Sequence, residues 1–257
     1  MKKSFSASLM VRAAVLGSVL FAPIASIQVP AQQRAVPRTS WDGKPDLTGV
    51  WQGAKLNARA YGLAELERLY QPSAKEKMKV LTEKDDPINR CVVYGYPRRM
   101  ATSFPIQIVQ AVGAMVLFDN RPHIYRYIPT DGRSHTEDLF PSYQGDSVGR
   151  WEGDTLVVDI TTLNGRVWLA GAQDHPTPTS VGGWITSDAS HLVERWRLLD
   201  ANTLEYQATV EDPKVLTGPW TAPKQTLVLA PFDQIMSLAC SGLETQVLME
   251  GAAKQNK

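Results

Sequence analysis

The sequence holds four histidines, at positions 123, 135, 175 and 191, and two of them stand close to carboxylates. Asp131-Gly-Arg-Ser-His-Thr-Glu137 gathers two acids, Arg133 and His135 into one turn-rich stretch, and His191 precedes Glu194 by three residues. An imidazole titrates near neutrality and a neighbouring carboxylate orients it, so such groups can move protons without a cofactor. His135 and His191 are therefore candidate acid or base residues, with Glu194 as base or orienter and Asp131 as orienter. Arg133 and Arg150 would stabilise developing negative charge, and Tyr125, Trp168 and Trp196 would line the pocket. The plainer reading is that these histidines are exposed loop residues. That reading stays open for His135 and His191 and is favoured for His175, which lies among Pro and Thr.

Other chemistries find less support. A metal site is the sharper alternative, since His135-x-Glu137 resembles half of the cupin ligand motif, with His123 or His191 to complete it. Glu137, however, stands where that motif has its second histidine, so neither metal nor cofactor is expected. The sequence lacks a P-loop. Gly145-Asp-Ser-Val-Gly149 has the spacing of a nucleophile elbow without the strand–turn–helix context that would make it one. Cys91 has no CxxC partner.

The elements that must position these groups are mostly strands. Asp46 to Trp51 reads as entry into a first strand. Leu63, Leu66, Leu69 and Tyr70 recur at helical spacing, Pro72 interrupts, and Ala74 to Leu81 continues, which predicts a helical segment over 62–83. From 106 onward short β-type runs follow one another. Ile106 to Phe118 is one apolar run in which Gly113 marks a bulge or bend, and His123 to Ile128 is a strand. Glu152-Gly-Asp154 and Asp200-Ala-Asn202 each separate two strand-like runs and predict hairpins. Lys224 to Leu229 is a last strand, and 164–188 is a long Gly/Pro/Thr/Ser-rich connection. Serial hairpins without intervening helices predict an all-β, antiparallel up-and-down barrel, which removes exposed sheet edges.

The period-two alternation of strands assigns faces. Leu192, Glu194, Trp196 and Leu198 face inward and Val193, Arg195 and Arg197 outward. Leu204, Tyr206, Ala208 and Val210 face inward, as do Leu156, Val158 and Ile160, with Val157 and Asp159 outward. Glu194 is the anomaly, because an inward carboxylate is costly unless paired or protonated. It is a general acid/base of raised pKa, the partner of an inward arginine, or a residue whose face has been misassigned.

Composition sets the outer limits. The chain has 257 residues, 27 basic and 26 acidic, for a formal net charge of +1, which gives no electrostatic footprint for nucleic acid. Lys2, Lys3 and Arg12 precede an apolar run from Ala13 to Ala25 that is too short to span a bilayer. Val29-Pro-Ala31 then supplies small residues for cleavage. Residues 1–31 thus read as a signal peptide, with Ala25 a second cleavage choice and a buried N-terminal helix the alternative. Residues 32–257 read as a single domain, periplasmic or secreted, with no membrane span. Removing the leader leaves 24 basic and 26 acidic residues, a net charge of −2. In an oxidising compartment Cys91 and Cys240 would form a disulfide; a reduced buried pair is the alternative.

Two resemblances add to this reading. Gly49-Val-Trp51 ahead of a β-meander resembles the G-x-W signature of the lipocalins and related calycin barrels. Separately, Pro45-Asp-Leu-Thr-Gly-Val-Trp51, Thr130-Asp-Gly-Arg-Ser-His135, Gly145 to Asp159 and His191-Leu-Val-Glu-Arg195 look like a large group of uncharacterised exported bacterial proteins. That second likeness covers most of residues 45–222. It implies export and a lipocalin-like barrel, and it transfers no activity. Ser134 replaces a common proline of the pattern, and Ala189-Ser190 precede His191; neither change removes the candidate site. The expectation is an exported, cofactor-independent lyase, isomerase or hydrolase acting on a small cyclic or aromatic molecule held in the barrel. The alternative is a non-catalytic carrier of an apolar molecule, and a structural or partner-binding role is a third.

Overall fold

Alternation and turns dominate this chain, and the result is a ring of strands. The computed structural model describes residues 35–57, 59–90, 92–120, 123–171 and 183–236. The strands are β1 (Gly49–Gly53), β2 (Ile106–Ala111), β3 (Ala114–Asn120), β4 (His123–Pro129), β5 (Asp146–Glu152), β6 (Thr155–Thr161), β7 (His191–Asp200), β8 (Thr203–Glu211), β9 (Trp220–Thr221) and β10 (Gln225–Leu229). Two helices, α1 (Leu63–Leu69) and α2 (Pro72–Lys79), follow β1, and Pro72 begins the second one. At that first position its missing N–H costs nothing.

Neighbouring strands run in the order β4-β3-β2-β1-β10-β8-β7-β6-β5, with every described ladder antiparallel and β9 attached to β8. The protein is thus an all-β antiparallel up-and-down barrel. The two ends of the order come together. A Cβ on Gly149 of β5 would sit 3.1 Å from a methyl of Ile128 on β4 and 3.0 Å from one of Thr130, so glycine permits the approach. Nine strands make the ring, and an odd number cannot alternate all the way round. β4 and β5 therefore run in the same direction, and among the described residues no ladder joins them. Parallel neighbours need a crossover; here residues 130–145 carry the chain back along the barrel.

Face assignments hold. Leu192, Glu194, Trp196 and Leu198 are buried while Arg195 and Arg197 are exposed, and Leu204, Tyr206, Ala208 and Val210 are buried on the facing strand. Val157 differs: it occupies an outward position and is nonetheless fully buried. The run 106–118 is not one bent strand. Gly113, at φ 71°, makes a tight turn between β2 and β3. The stretch 164–188 is not an open loop in its described parts, since Leu169 N–H donates to Trp184 O at 2.7 Å and both Trp168 and Trp184 are buried. The proposed leader, Cys91, Cys240 and His175 lie outside the described residues, as does the side chain of His123. No described helix is long and apolar enough to cross a membrane.

Candidate functional site

The barrel interior is packed with apolar side chains. Trp51, Ile106, Ile108, Leu156, Trp196 and Tyr206 are among its fully buried members. The cavity beside Arg126 measures about 10 Å³, which admits no more than a water molecule. Large aromatic side chains thus take up much of the barrel interior.

Glu194 does face inward, and its partner is an inward arginine. Arg126 sits between Ile124 and Ile128 on β4 and donates from Nη1 to Oε1 at 3.2 Å and from Nη2 to Oε2 at 2.6 Å. Tyr206 Oη donates to Oε1 at 2.9 Å and Trp196 Nε1 to Oε2 at 3.3 Å. Four donors fill the lone-pair positions of one carboxylate. Burial, with the adjacent Glu194 charge, pushes the Tyr206 hydroxyl well up, which keeps it a donor. The guanidinium of Arg126 lies 3.9 Å from the centroid of the Tyr96 ring. Tyr96 in turn donates to Asp119 at 3.3 Å, and Asp119 is paired with Arg99. This buried network is built for structure, and Trp196 belongs to it rather than to a pocket.

His135 and His191 are brought together, but on the outer face and around a carboxylate that the sequence reading passed over. Asp146 opens β5, Asp159 lies on β6, His191 opens β7 and Glu211 ends β8, all at outward positions near one end of the barrel. His135, from the crossover, places Nδ1 2.9 Å from Asp146 Oδ2 and Nε2 2.9 Å from Asp159 Oδ1. The backbone N–H of Thr136 also donates to Asp146 Oδ2 at 2.9 Å. His191 Nε2 lies 3.1 Å from Asp159 Oδ2, and its Nδ1 is 3.9 Å from Glu211, beyond hydrogen-bond reach. Outward positions on adjacent strands were the available signal: Asp159 and His191 share a face by alternation alone.

The two histidines differ in what they can do. Both nitrogens of His135 face carboxylates, so the ring must be doubly protonated to donate at both. Partial burial opposes that charge, but the hydrogen bonds that the ring donates to Asp159 and Asp146 outweigh it, and the His135 pKa is raised. Burial likewise pushes Asp159 up, and its bonds to His135 and His191 overcome this to lower it. His135 is thus a fastener for the crossover. His191 has Nε2 held by Asp159, while its Nδ1 makes no hydrogen bond among the described residues, an arrangement suited to a general base. No three of the described His, Cys, Asp and Glu residues are grouped as metal ligands.

The His135 arrangement has a pH signature. A folded pKa raised above the unfolded value of about 6.5 stabilises fully below that pH and is lost as pH rises through the folded value. Asp159, lowered, contributes above about pH 3.9 and loses its share as pH falls through its folded value. Wild type is therefore expected to lose stability relative to His135→Gln between about pH 6 and pH 9. The loss should be below about 1 kcal/mol, because His135 is nearly a third exposed. Urea unfolding of both proteins at the two pH values checks this, and parallel curves would refute it.

The other candidate residues lie apart. Asp131 and Arg133 pair with each other at 2.5 Å on the surface, and Arg150 pairs with Glu152 at 3.2 Å. Trp168 is buried, and Tyr125 is exposed on the outside of β4. A cavity of about 340 Å³ lies elsewhere again. Lys55 and Asn57 from the segment after β1, Tyr61 and Leu63 at the start of α1, and Tyr94 and Phe104 from the stretch before β2 line it. Tyr94 lies with its centroid 6.3 Å from that of Phe104 and under the Arg98 guanidinium at 5.4 Å. Arg98 is neutralised by a two-point pair with Asp86 at 2.8 and 2.7 Å, whereas Lys55 is exposed and has no carboxylate partner among the described residues. Irregular backbone between Pro87 and Pro105 hid this cleft from any reading of periodicity.

Fold and site together define an antiparallel barrel with a filled lumen and a helix-flanked cleft outside it. No protein-family model, curated protein or solved structure matches the chain.

Proposed function

We propose that this is an exported small-molecule-binding protein whose ligand, a planar aromatic anion, occupies the cleft beside α1. The observation that carries this is the lining. A cavity of about 340 Å³ with Tyr61, Tyr94 and Phe104 as walls and Lys55 at its edge has the size and mixture of ligand sites, in which apolar walls supply affinity and a few polar groups fix orientation. The aromatic rings suit a flat molecule and the unpaired ammonium suits a carboxylate or similar group. The basic start and apolar run at the N-terminus support export.

A second reading is acid/base catalysis at the outer rim. The observation favouring it is His191, oriented by Asp159 and with a free Nδ1.

One experiment addresses both. Aromatic acids and their neutral amides are titrated into wild type, Lys55→Gln, Tyr94→Ala and His191→Ala, with calorimetry for binding and chromatography for turnover. The expected result is binding of an acid, weakened about tenfold in Lys55→Gln and Tyr94→Ala, each contact being worth about 1.4 kcal/mol. The amide should gain nothing from Lys55. Equal affinity of all four proteins for the acid would remove the cleft reading. Turnover by wild type that His191→Ala lacks would establish the catalytic one.

A further inference from the structure

The outer face of β2, β3 and β4 presents apolar side chains to water. Strand register places Val109, Val116 and Tyr127 in one row across it and Gln107, Phe118 and Tyr125 in another. Val109, Phe118, Tyr125 and Tyr127 are exposed, Tyr125 to 64%. Exposed apolar side chains are ordinary when scattered, but a contiguous group of them marks a surface that something covers.

The covering has already begun. Beyond β10 the chain returns to this face, where Ile235 and Met236 join Gln107, Phe118 and Tyr125 around a cavity of about 290 Å³. Gln107 fixes the approach through two backbone groups. Its Nε2 donates to Asp233 O at 3.2 Å, and its Oε1 accepts from the N–H of Ile235 at 3.4 Å. Phe118 and Tyr125 stand next to it with ring centroids 6.5 Å apart. Met236 is 78% exposed, so it walls one side of the cavity without filling it. The path from Gln107 on β2 toward Tyr125 on β4 aims the chain across the face.

The sequence after Met236 suits that face. Ser237 to Met249 carries a single charged residue, Glu244, while Leu238, Leu243, Val247, Leu248 and Met249 are apolar. These positions follow directly on the last described residue. An extended residue spans about 3.3 Å and adjacent strands lie about 4.8 Å apart, so about three residues cross from β2 to β4. The segment is therefore long enough. Being tethered at the rim of the cavity, it also has a high effective concentration there, which favours it over a separate molecule.

We propose that residues 237–249 dock on the outer face of β2, β3 and β4, with Leu238 in the cavity beside Met236 and Val247-Leu-Met249 over Tyr127 and Val109. The inference does not depend on the assignment of the α1 cleft.

The test uses the full chain, with isotope-labelled and unlabelled copies mixed so that contacts within and between molecules are told apart by NMR. NOEs from the Leu238 methyls to the ring protons of Phe118 and Tyr125 are expected within one molecule. Cleavage at Glu244 by a glutamate-specific protease is the second measurement. Leu238→Asp and Tyr125→Ala should each speed it about tenfold, because returning one such side chain to water shifts an equilibrium by about that factor. Tyr125 is largely exposed and stands outside the barrel, so its removal leaves the core alone. Tyr94→Ala, in the α1 cleft, should leave the rate unchanged. Absence of these NOEs overturns the proposal, and NOEs found only between molecules would make a second copy the occupant instead. Equal cleavage of wild type, Leu238→Asp and Tyr125→Ala also overturns it, as does equal acceleration in Tyr94→Ala.

Discussion

Glu194→Ala is expected to cost about 3–5 kcal/mol of folding stability. The change leaves the Arg126 guanidinium inside the barrel with its counter-charge gone, and it takes the acceptor from both Tyr206 and Trp196. For a chain of this size the penalty corresponds to a fall of roughly 10 °C in Tm. The double variant Arg126→Met/Glu194→Leu separates the worth of the pair from the cost of breaking it. Replacing both partners by apolar residues of similar volume removes the desolvation of two ions, and it should recover most of the stability. Urea unfolding of the single and double variants measures the difference. A single variant within about 1 kcal/mol of wild type would show that Arg126 finds another partner or reaches solvent.

Gly145→Ala is expected to be nearly as damaging, by about 2–5 kcal/mol, from backbone strain together with overpacking. Gly145 has φ 67°, where an L-residue is strained, and a Cβ there would run into the carbonyl oxygen of Thr161 and come within 3.0 Å of an Ile160 methyl. The collision falls one residue before Asp146, so relief by backbone movement must shift the carboxylate that holds His135 and Thr136. Two readouts should therefore move together. The unfolding midpoint falls, and the His135 pKa, followed by NMR, drops back toward its ordinary value. A destabilised variant in which His135 keeps its raised pKa would show that the crossover is held independently of Asp146.

The parts of this molecule that alternation and turn chemistry control could be read directly. Leu192-Val-Glu-Arg-Trp-Arg-Leu198 announces its two faces, and Glu152-Gly-Asp154 announces its hairpin, because both depend on near neighbours in the chain. Gly113 was harder, since a glycine in an apolar run marks either a bend or a complete reversal, and only pairing of Ile106 with Asp119 decides between them. Arg126 alternates with Ile124 and Ile128 and could be read as inward, yet nothing local says that it meets a residue 68 positions away. That contact exists because the ring closes. His135 and His191 do meet, around Asp159 on the outer face, while Glu194 was grouped with them by sequence distance although it lies on the other side of the same strand as His191. In a strand, three residues of separation reverse the face. The α1 cleft was invisible, since it is assembled from segments with no common period.

The odd strand count has a consequence for how the molecule meets its neighbours. Two rows of backbone donors and acceptors, one on β4 and one on β5, are left without ladder partners among the described residues. Such rims invite a strand from another molecule, the usual route to unwanted association. The crossover from Thr130 to Gly145 belongs to this seam, because it joins the very strands that fail to pair. His135 ties that crossover to β5 and β6 through Asp146 and Asp159.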